Sequence, residues 1–405
     1  MSVWVQRLEN PLSARLRDPA ATGYTGILLG ALAAFLCIPP VQARTVTWPI
    51  VVGVIAAVFG IWTVTRGRAR LGWGAVAAGV IGIGLGILAT RSSVGNLNAV
   101  FDAALIEQMF AFTTPLVFAA IGGLFSERSG VVNIGLEGMM LMGAFWGVYG
   151  ADKGGSWVVG LLVGGGVGAL LALVYGYFAI HLRADQIVGG TAVNFLALGI
   201  TGYFFFQFYN GNYIPSGVST IPNVTIPGLR HSHFFGPAIG NLNIMIWASF
   251  VLVIVSYIVV FKTPIGLRIR ACGEHPRAAD TVGINVYAVR YSCVVVSGIL
   301  AALGGVYLSD GFTSGGATFG DNMTDGRGFI ALAALIFGNW RPAGAFGAAL
   351  LFGFSSAVAL RLQVYSASAA TLFNVLPYVL TLIAVAGVIG RTVPPAADGK
   401  PYQKQ

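Results

Sequence analysis

A chain of 405 residues with 56% hydrophobic and only 9% charged residues lies far below the roughly 25% charge of an average soluble domain, which excludes a water-soluble globule. Its net charge of +9 is concentrated between apolar runs, so it reads as a membrane-orientation signal and not as a nucleic-acid footprint. Cys37, Cys272 and Cys293 have no metal-ligand spacing and imply no disulfide framework.

The first 22 residues hold Arg7, Arg15 and Arg17 without an early apolar core. No cleavable signal peptide is expected, and the first helix serves as the insertion signal. Apolar spans follow at 23–41, 48–64, 72–89, 109–125, 131–150, 157–180, 187–206, 242–261, 291–308, 329–338, 343–360 and 373–389. The predicted fold is an all-α polytopic transmembrane bundle of about 12 spans, with both termini on one side. The piece at 329–338 is too short to cross alone and reads as half of a broken or re-entrant element. With this topology 17 of the 23 Lys and Arg fall on the side of the termini, which makes that side cytoplasmic. Gly82–Gly86, Gly160–Gly164 and Gly164–Gly168 have the spacing of close helix-packing faces.

The fifth span is interrupted. Ser126 to Gly143 reads SERSGVVNIGLEGMMLMG, with Asn133 and Glu137 four apart, hence on one face if the segment is helical. An ionisable group at this depth is costly and faces a cavity, a partner or a substrate path. Two readings stand side by side: Glu137 lines a pathway, or it hydrogen-bonds the free backbone of a broken helix. Gly130 to Leu141 echoes Gly326 to Phe337 in outline. The two lie in spans of opposite direction, as in inverted repeats.

The loop from about Gln207 to Asn241 holds Pro215, Pro222, Pro227 and Pro237, which argue against regular structure. His231 and His233 within it read as an exposed pair, not a metal site. Asp310, Asp321 and Asp325 read as helix caps and solvated turn residues. There is no G-x-x-x-x-G-K-[ST] run, so nucleotide hydrolysis of that type is not encoded. No catalytic cluster can be named.

Lys262 to Arg290 reads KTPIGLRIRACGEHPRAADTVGINVYAVR and carries Lys262, Arg268, Arg270, Arg277 and Arg290. Pro276 sits at a first helical position and Gly283 just beyond the end of a short helix. Such a capped helix in a basic loop either docks a partner or is a solvated, orienting loop.

These segments resemble the permease subunits of bacterial ABC importers, in the family shared by branched-chain amino acid, simple-sugar and nucleoside systems. SERSGVVNIGLEGMMLMGA is similar to the nucleoside-type signature, and GLRIRACGEHPRAADTVGI to the EAA-type loop that docks on the ATP-binding subunit. GRGFIALAALIFGNWRPAGAFGAALLFG matches the family's C-terminal half. The resemblance covers about residues 100 to 392. It implies a coupling helix built from Gly273, Glu274, Pro276, Ala278, Ala279 and Gly283. It also implies a broken segment lining the pathway that contains Asn133 and Glu137. Phe112, an aromatic able to stack on a base or to serve in the core, and Asn194 complete the pathway candidates.

The expected organisation is an N-terminal extension over 1–92, a permease core over 93–392 that includes the coupling loop 262–290, and a cytoplasmic tail over 393–405. The expected setting is the bacterial plasma (inner) membrane. The implied partners are an ABC ATP-binding subunit, a second permease chain in a heterodimer and an extracytoplasmic substrate-binding lipoprotein. This chain would be no enzyme and bind no cofactor itself, ATP being used by the partner. The implied function is ATP-driven import of a nucleoside or related small polar metabolite by alternating access. A simple-sugar permease, or a self-sufficient secondary carrier using Glu137, is the rival.

Overall fold

The apolar runs form helices because no water is available in a bilayer to satisfy backbone groups. The computed structural model describes residues 19–36, 47–91, 102–211, 217–229, 232, 234–312, 316–363 and 392–404. In chain order the longer helices are α1 (Pro19–Phe35), α2 (Thr47–Thr65), α3 (Ala69–Arg91), α4 (Ala104–Arg128), α5 (Leu136–Gly154), α6 (Trp157–Gly176) and α7 (Gln186–Tyr209). A short α8 (Phe235–Ile239) precedes α9 (Ile244–Lys262), α10 (Pro264–Glu274), α11 (Pro276–Thr281), α12 (Val286–Asp310), α13 (Arg327–Phe337) and α14 (Pro342–Gln363). Seven of the described helices are long and apolar enough to cross a membrane, and three shorter apolar helices accompany them. The chain is a polytopic helical membrane protein. Each expected span up to 343–360 corresponds to a helix. The span expected at 373–389, His231, His233 and Cys37 lie outside the described residues.

Two compact units are distinguished, 1–107 with 232–238 and 355–391, and 108–231 with 239–354 and 392–405. In the first, α1, α2 and α3 pack through small residues. A Cβ on Gly60 would lie 2.6 Å from Gly72 O, and one on Gly82 would lie 2.6 Å from Ala33 Cβ. Thr22 and Thr63 meet hydroxyl to hydroxyl at 3.3 Å. Lipid is as apolar as the side chains, so close backbone contact and such hydrogen bonds supply the association.

In the second unit α4 and α12 are central, with 72% and 67% of their most apolar windows buried, against 22% in α7 and 28% in α9. The peripheral helices turn Leu162, Phe195 and Phe206 outward, as lipid-facing surfaces do. Small residues bring α5, α6 and α12 together. Gly143 lies against Ala302, Gly168 against Gly298 and Ala302, and Gly160 against Gly147 O. The Gly160, Gly164 and Gly168 row is the packing face that its spacing predicts.

Three expectations are corrected. α5 starts at Leu136, and 131–135 is non-helical. Asn133 therefore precedes the helix and does not share a helical face with Glu137, because Gly130 and Gly135 interrupt the regular backbone. Within the proline-rich loop a two-stranded antiparallel ribbon forms between β1 (Asn223–Thr225) and β2 (Asn241–Asn243). Finally, Asp321 and Asp325 are exposed, but Asp310 is fully buried as the last residue of α12, so it is not a solvated turn residue.

Candidate functional site

The break between α4 and α5 is built from groups that a continuous helix would have paired internally. α4 ends at Arg128, and Gly130 turns the chain with φ +92°. Val131 and Asn133 are fully buried, so their backbone needs partners. Ser126 donates its hydroxyl to Val131 O at 2.7 Å. Val132 N–H donates to Gln186 Oε1 at 2.8 Å, and Val132 O accepts the Tyr175 hydroxyl. Asn194 spans the gap, its Nδ2 donating to Ile134 O at 3.0 Å and its Oδ1 accepting Gly138 N–H at 2.8 Å. Side chains of α6 and α7 thus do the pairing that the helix gives up.

Glu137 belongs to a second junction. Its Oε1 accepts Gly326 N–H at 2.9 Å, and its Oε2 accepts Gly328 N–H at 2.5 Å. The first turns of α5 and α13 meet here, and a Cβ on Gly328 would lie 2.5 Å from Glu137 Cα. Free N–H groups and the positive end of a helix dipole favour an anion at such a place. Asn133 Nδ2 donates to Ser297 Oγ at 2.9 Å. Its Oδ1 has no partner among the described residues. The structure thus gathers Asn133, Glu137 and Asn194 around the break. Phe112 packs edge-on against Phe312, with centroids 4.9 Å apart.

The second candidate surface is the segment between α9 and α12. Thr263 Oγ1 accepts Gly266 N–H at 3.2 Å and Pro264 opens α10, a helix that the loop pattern does not signal. Pro276 opens α11, which ends at Thr281, and Gly283 follows at φ +84°, close to the predicted start and stop. Glu274 and Ala278 are exposed, whereas Gly273 and Ala279 are buried. Ala279 lies in an apolar cluster with Cys272, Val286 and Tyr402. Gly273 lets Arg128 O approach closely. Val282, just past α11, is 75% exposed, an apolar knob that charge-based reading passes over.

Arg290 is a correction. Counted with the loop's charge, it is 1% exposed and sits in α12, where it donates from Nε to Ser129 O at 3.1 Å and from Nη1 to Lys400 O at 3.1 Å. It therefore joins the break to residues 392–404. Ala397 N–H also donates to Gly273 O at 2.8 Å, and Ala396 N–H donates to Glu274 Oε2 at 3.1 Å. Nearby, Glu127 accepts Trp340 Nε1–H at 2.5 Å. Burial raises the Asp398 carboxyl to about 7, with Gly399 N–H and Arg290 pulling the other way. Sequence reading missed Tyr175 and Gln186, and it named Arg290 and the tail without the contacts that they make. The signals were a Tyr and a Gln at helix ends and an Asp398-Gly399 turn before Tyr402 in a polar stretch.

Among the described residues no three His, Cys, Asp or Glu side chains gather as a metal site.

The family model described as branched-chain amino acid transport system / permease component matches residues 105–385. The chain is 41% identical over 312 residues to the guanosine ABC transporter permease protein NupQ of Bacillus subtilis, covering 74% of this chain and 96% of that one. It is 36% identical to the nucleoside ABC transporter permease protein NupC of Lactococcus lactis, with 74% and 96% covered. It is 34% identical to the putative glucose ABC transporter permease protein TsgC13 of Haloferax volcanii, with 65% and 79% covered. No solved structure matches the chain.

Proposed function

From the premise that the chain belongs to the branched-chain amino acid transport system / permease component family, we propose that it is the membrane-spanning subunit of an ATP-driven importer of nucleosides. The observation that carries the substrate class is the 41% identity to a guanosine permease over nearly all of that protein. Both termini and the α10–α11 segment face the cytoplasm, in keeping with 17 of 23 basic residues on that side. A separate ATP-binding subunit docks there and hydrolyses ATP, because this sequence has no Walker-type loop. A second permease chain completes the pathway, and an extracytoplasmic lipoprotein delivers substrate.

The break is the part of this chain best suited to the pathway wall. Asn133 Oδ1, buried and without a described partner, is the acceptor suited to a polar solute. Glu137 and Asn194 shape that wall by fixing the two helix ends. Motion of α11 reaches the break through Gly273, which lies against Arg128 O and Gly130 N, and the pathway opens to one side at a time.

Vesicles carrying this chain with its partner subunits and receptor are expected to accumulate labelled guanosine when ATP is supplied. Accumulation that survives ATP depletion and collapses with an uncoupler would establish the secondary carrier instead. The 34% identity to the putative glucose ABC transporter permease protein TsgC13 favours a sugar as the second reading. Uptake of glucose without guanosine would establish it.

A further inference from the structure

Residues 393–404 are not a loose end. Ala397 and Tyr402 are buried. The Tyr402 ring packs on Tyr287 with centroids 5.4 Å apart, and Val393 N–H donates to Asn339 Oδ1 at 3.0 Å. The tail bonds Gly273, Glu274 and Arg290 as described above, and so contacts both the α10–α11 turn and α12. Between the tail and that turn opens a cleft of about 580 Å³, lined by Glu274, His275 and Arg277 on one side and Lys400, Tyr402 and Gln403 on the other.

We propose that residues 393–403 form one wall of the surface that receives the ATP-binding partner, the α10–α11 turn forming the other. This rests on the reading of the chain as an ABC permease docked through α11, and it is continuous with that face. Charge selects the occupant. Arg277 and Lys400 stand on the rim against a single carboxylate, Glu274; all three are exposed, Glu274 accepting Ala396 N–H and Lys400 Nζ donating to Ala396 O at 2.7 Å. The cleft therefore presents a basic rim around a partly apolar floor, and the complementary surface is an acidic ridge of the ATP-binding subunit. The tail also makes the dock stiff. A force applied to the cleft acts on Gly273 and Glu274, on Lys400 O through Arg290, and thereby on Ser129 at the start of the break.

The test uses the whole complex. In a Cys37→Ala background, Arg277→Cys and Gln403→Cys are introduced separately. Both positions are exposed, and Cys272 and Cys293 are buried. Each is then labelled with a maleimide that carries a photoreactive benzophenone, which inserts into C–H bonds of any neighbouring chain, the complex is irradiated and the products are identified. Crosslinks from both positions to the ATP-binding subunit are expected. A crosslink from position 277 without one from 403 overturns the tail wall and leaves α11 docking intact. No crosslink from either overturns the docking face altogether. A crosslink from 403 alone supports the wall and removes α11 from the interface. Lys400→Glu is expected to lower retention of the ATP-binding subunit about tenfold, with undiminished membrane insertion. Unchanged retention refutes the acidic complement.

Discussion

Removing the Glu137 carboxylate tests whether that residue holds the fold or lines the path. Its two oxygens take Gly326 N–H at 2.9 Å and Gly328 N–H at 2.5 Å, and the residue is 7% exposed. A hydrogen bond to a charged acceptor contributes about 1.5–3 kcal/mol, and a buried N–H left without a partner costs about 1–3 kcal/mol. Glu137→Gln keeps one acceptor but points an amide donor at the other N–H, so a loss of about 2–4 kcal/mol is expected. Glu137→Ala exposes both donors and the α13 dipole, for about 3–5 kcal/mol. Gly328→Ala keeps the charge but forces the junction apart, since its Cβ would lie 2.5 Å from Glu137 Cα. It should resemble Glu137→Ala. Thermal unfolding of the purified protein, followed by fluorescence, should rank wild type above Glu137→Gln and Glu137→Gln above the other two. Surviving Glu137→Gln transporter should keep its substrate KM. A wild-type midpoint for Glu137→Gln together with a KM raised more than tenfold would refute this reasoning and place Glu137 on the substrate.

Ala279→Phe would overfill the cluster of Cys272, Val286 and Tyr402, at about 1–3 kcal/mol. It should leave the chain inserted while ATP hydrolysis runs without uptake. Unchanged uptake per ATP would count against it. Arg290→Met removes the donors to Ser129 O and Lys400 O, so chymotrypsin should cut after Tyr402, buried in the wild type, faster than in the wild type. Equal cleavage rates would deny that Arg290 holds the tail. Burial raises the Asp398 pKa from 3.8 to about 7, so the docked tail binds a proton that the released tail does not. Docking is then strongest at low pH and weakens as pH rises toward 7. Amide-exchange protection over 392–404 should fall between pH 6 and pH 8, and Asp398→Asn should weaken the change. Protection that rises with pH would reverse the assignment.

The helices were legible because each is a long apolar run, and so was α11, where Pro276 and Gly283 punctuate the chain. The Asn133–Glu137 pair signalled a site, but reading it as one helical face missed the break. Period-based reasoning assumes a continuous backbone, and Gly130, Gly135 and the partners Gln186, Tyr175 and Asn194 remove that continuity, the last three from 43 or more residues away in sequence. Arg290 shows the same limit from the electrostatic side. A charge adjoining a basic loop looks solvated until the fold supplies Ser129 O and Lys400 O. The tail was the least legible, since its few apolar side chains acquire a role only when Gly273 and Tyr287 are brought beneath them.

The tail's position also orders biogenesis. A nascent chain emerges from its N-terminus, so α10, α11 and α12 can enter or line the membrane before residues 392–404 have been made. Until those residues arrive, Gly273 O, Glu274 and Arg290 lack the contacts that shape the cleft. A chain made only as far as α12 therefore lacks one wall of the proposed seat. On the proposed docking, the seat for the ATP-binding subunit is complete only once residues 392–404 have been made.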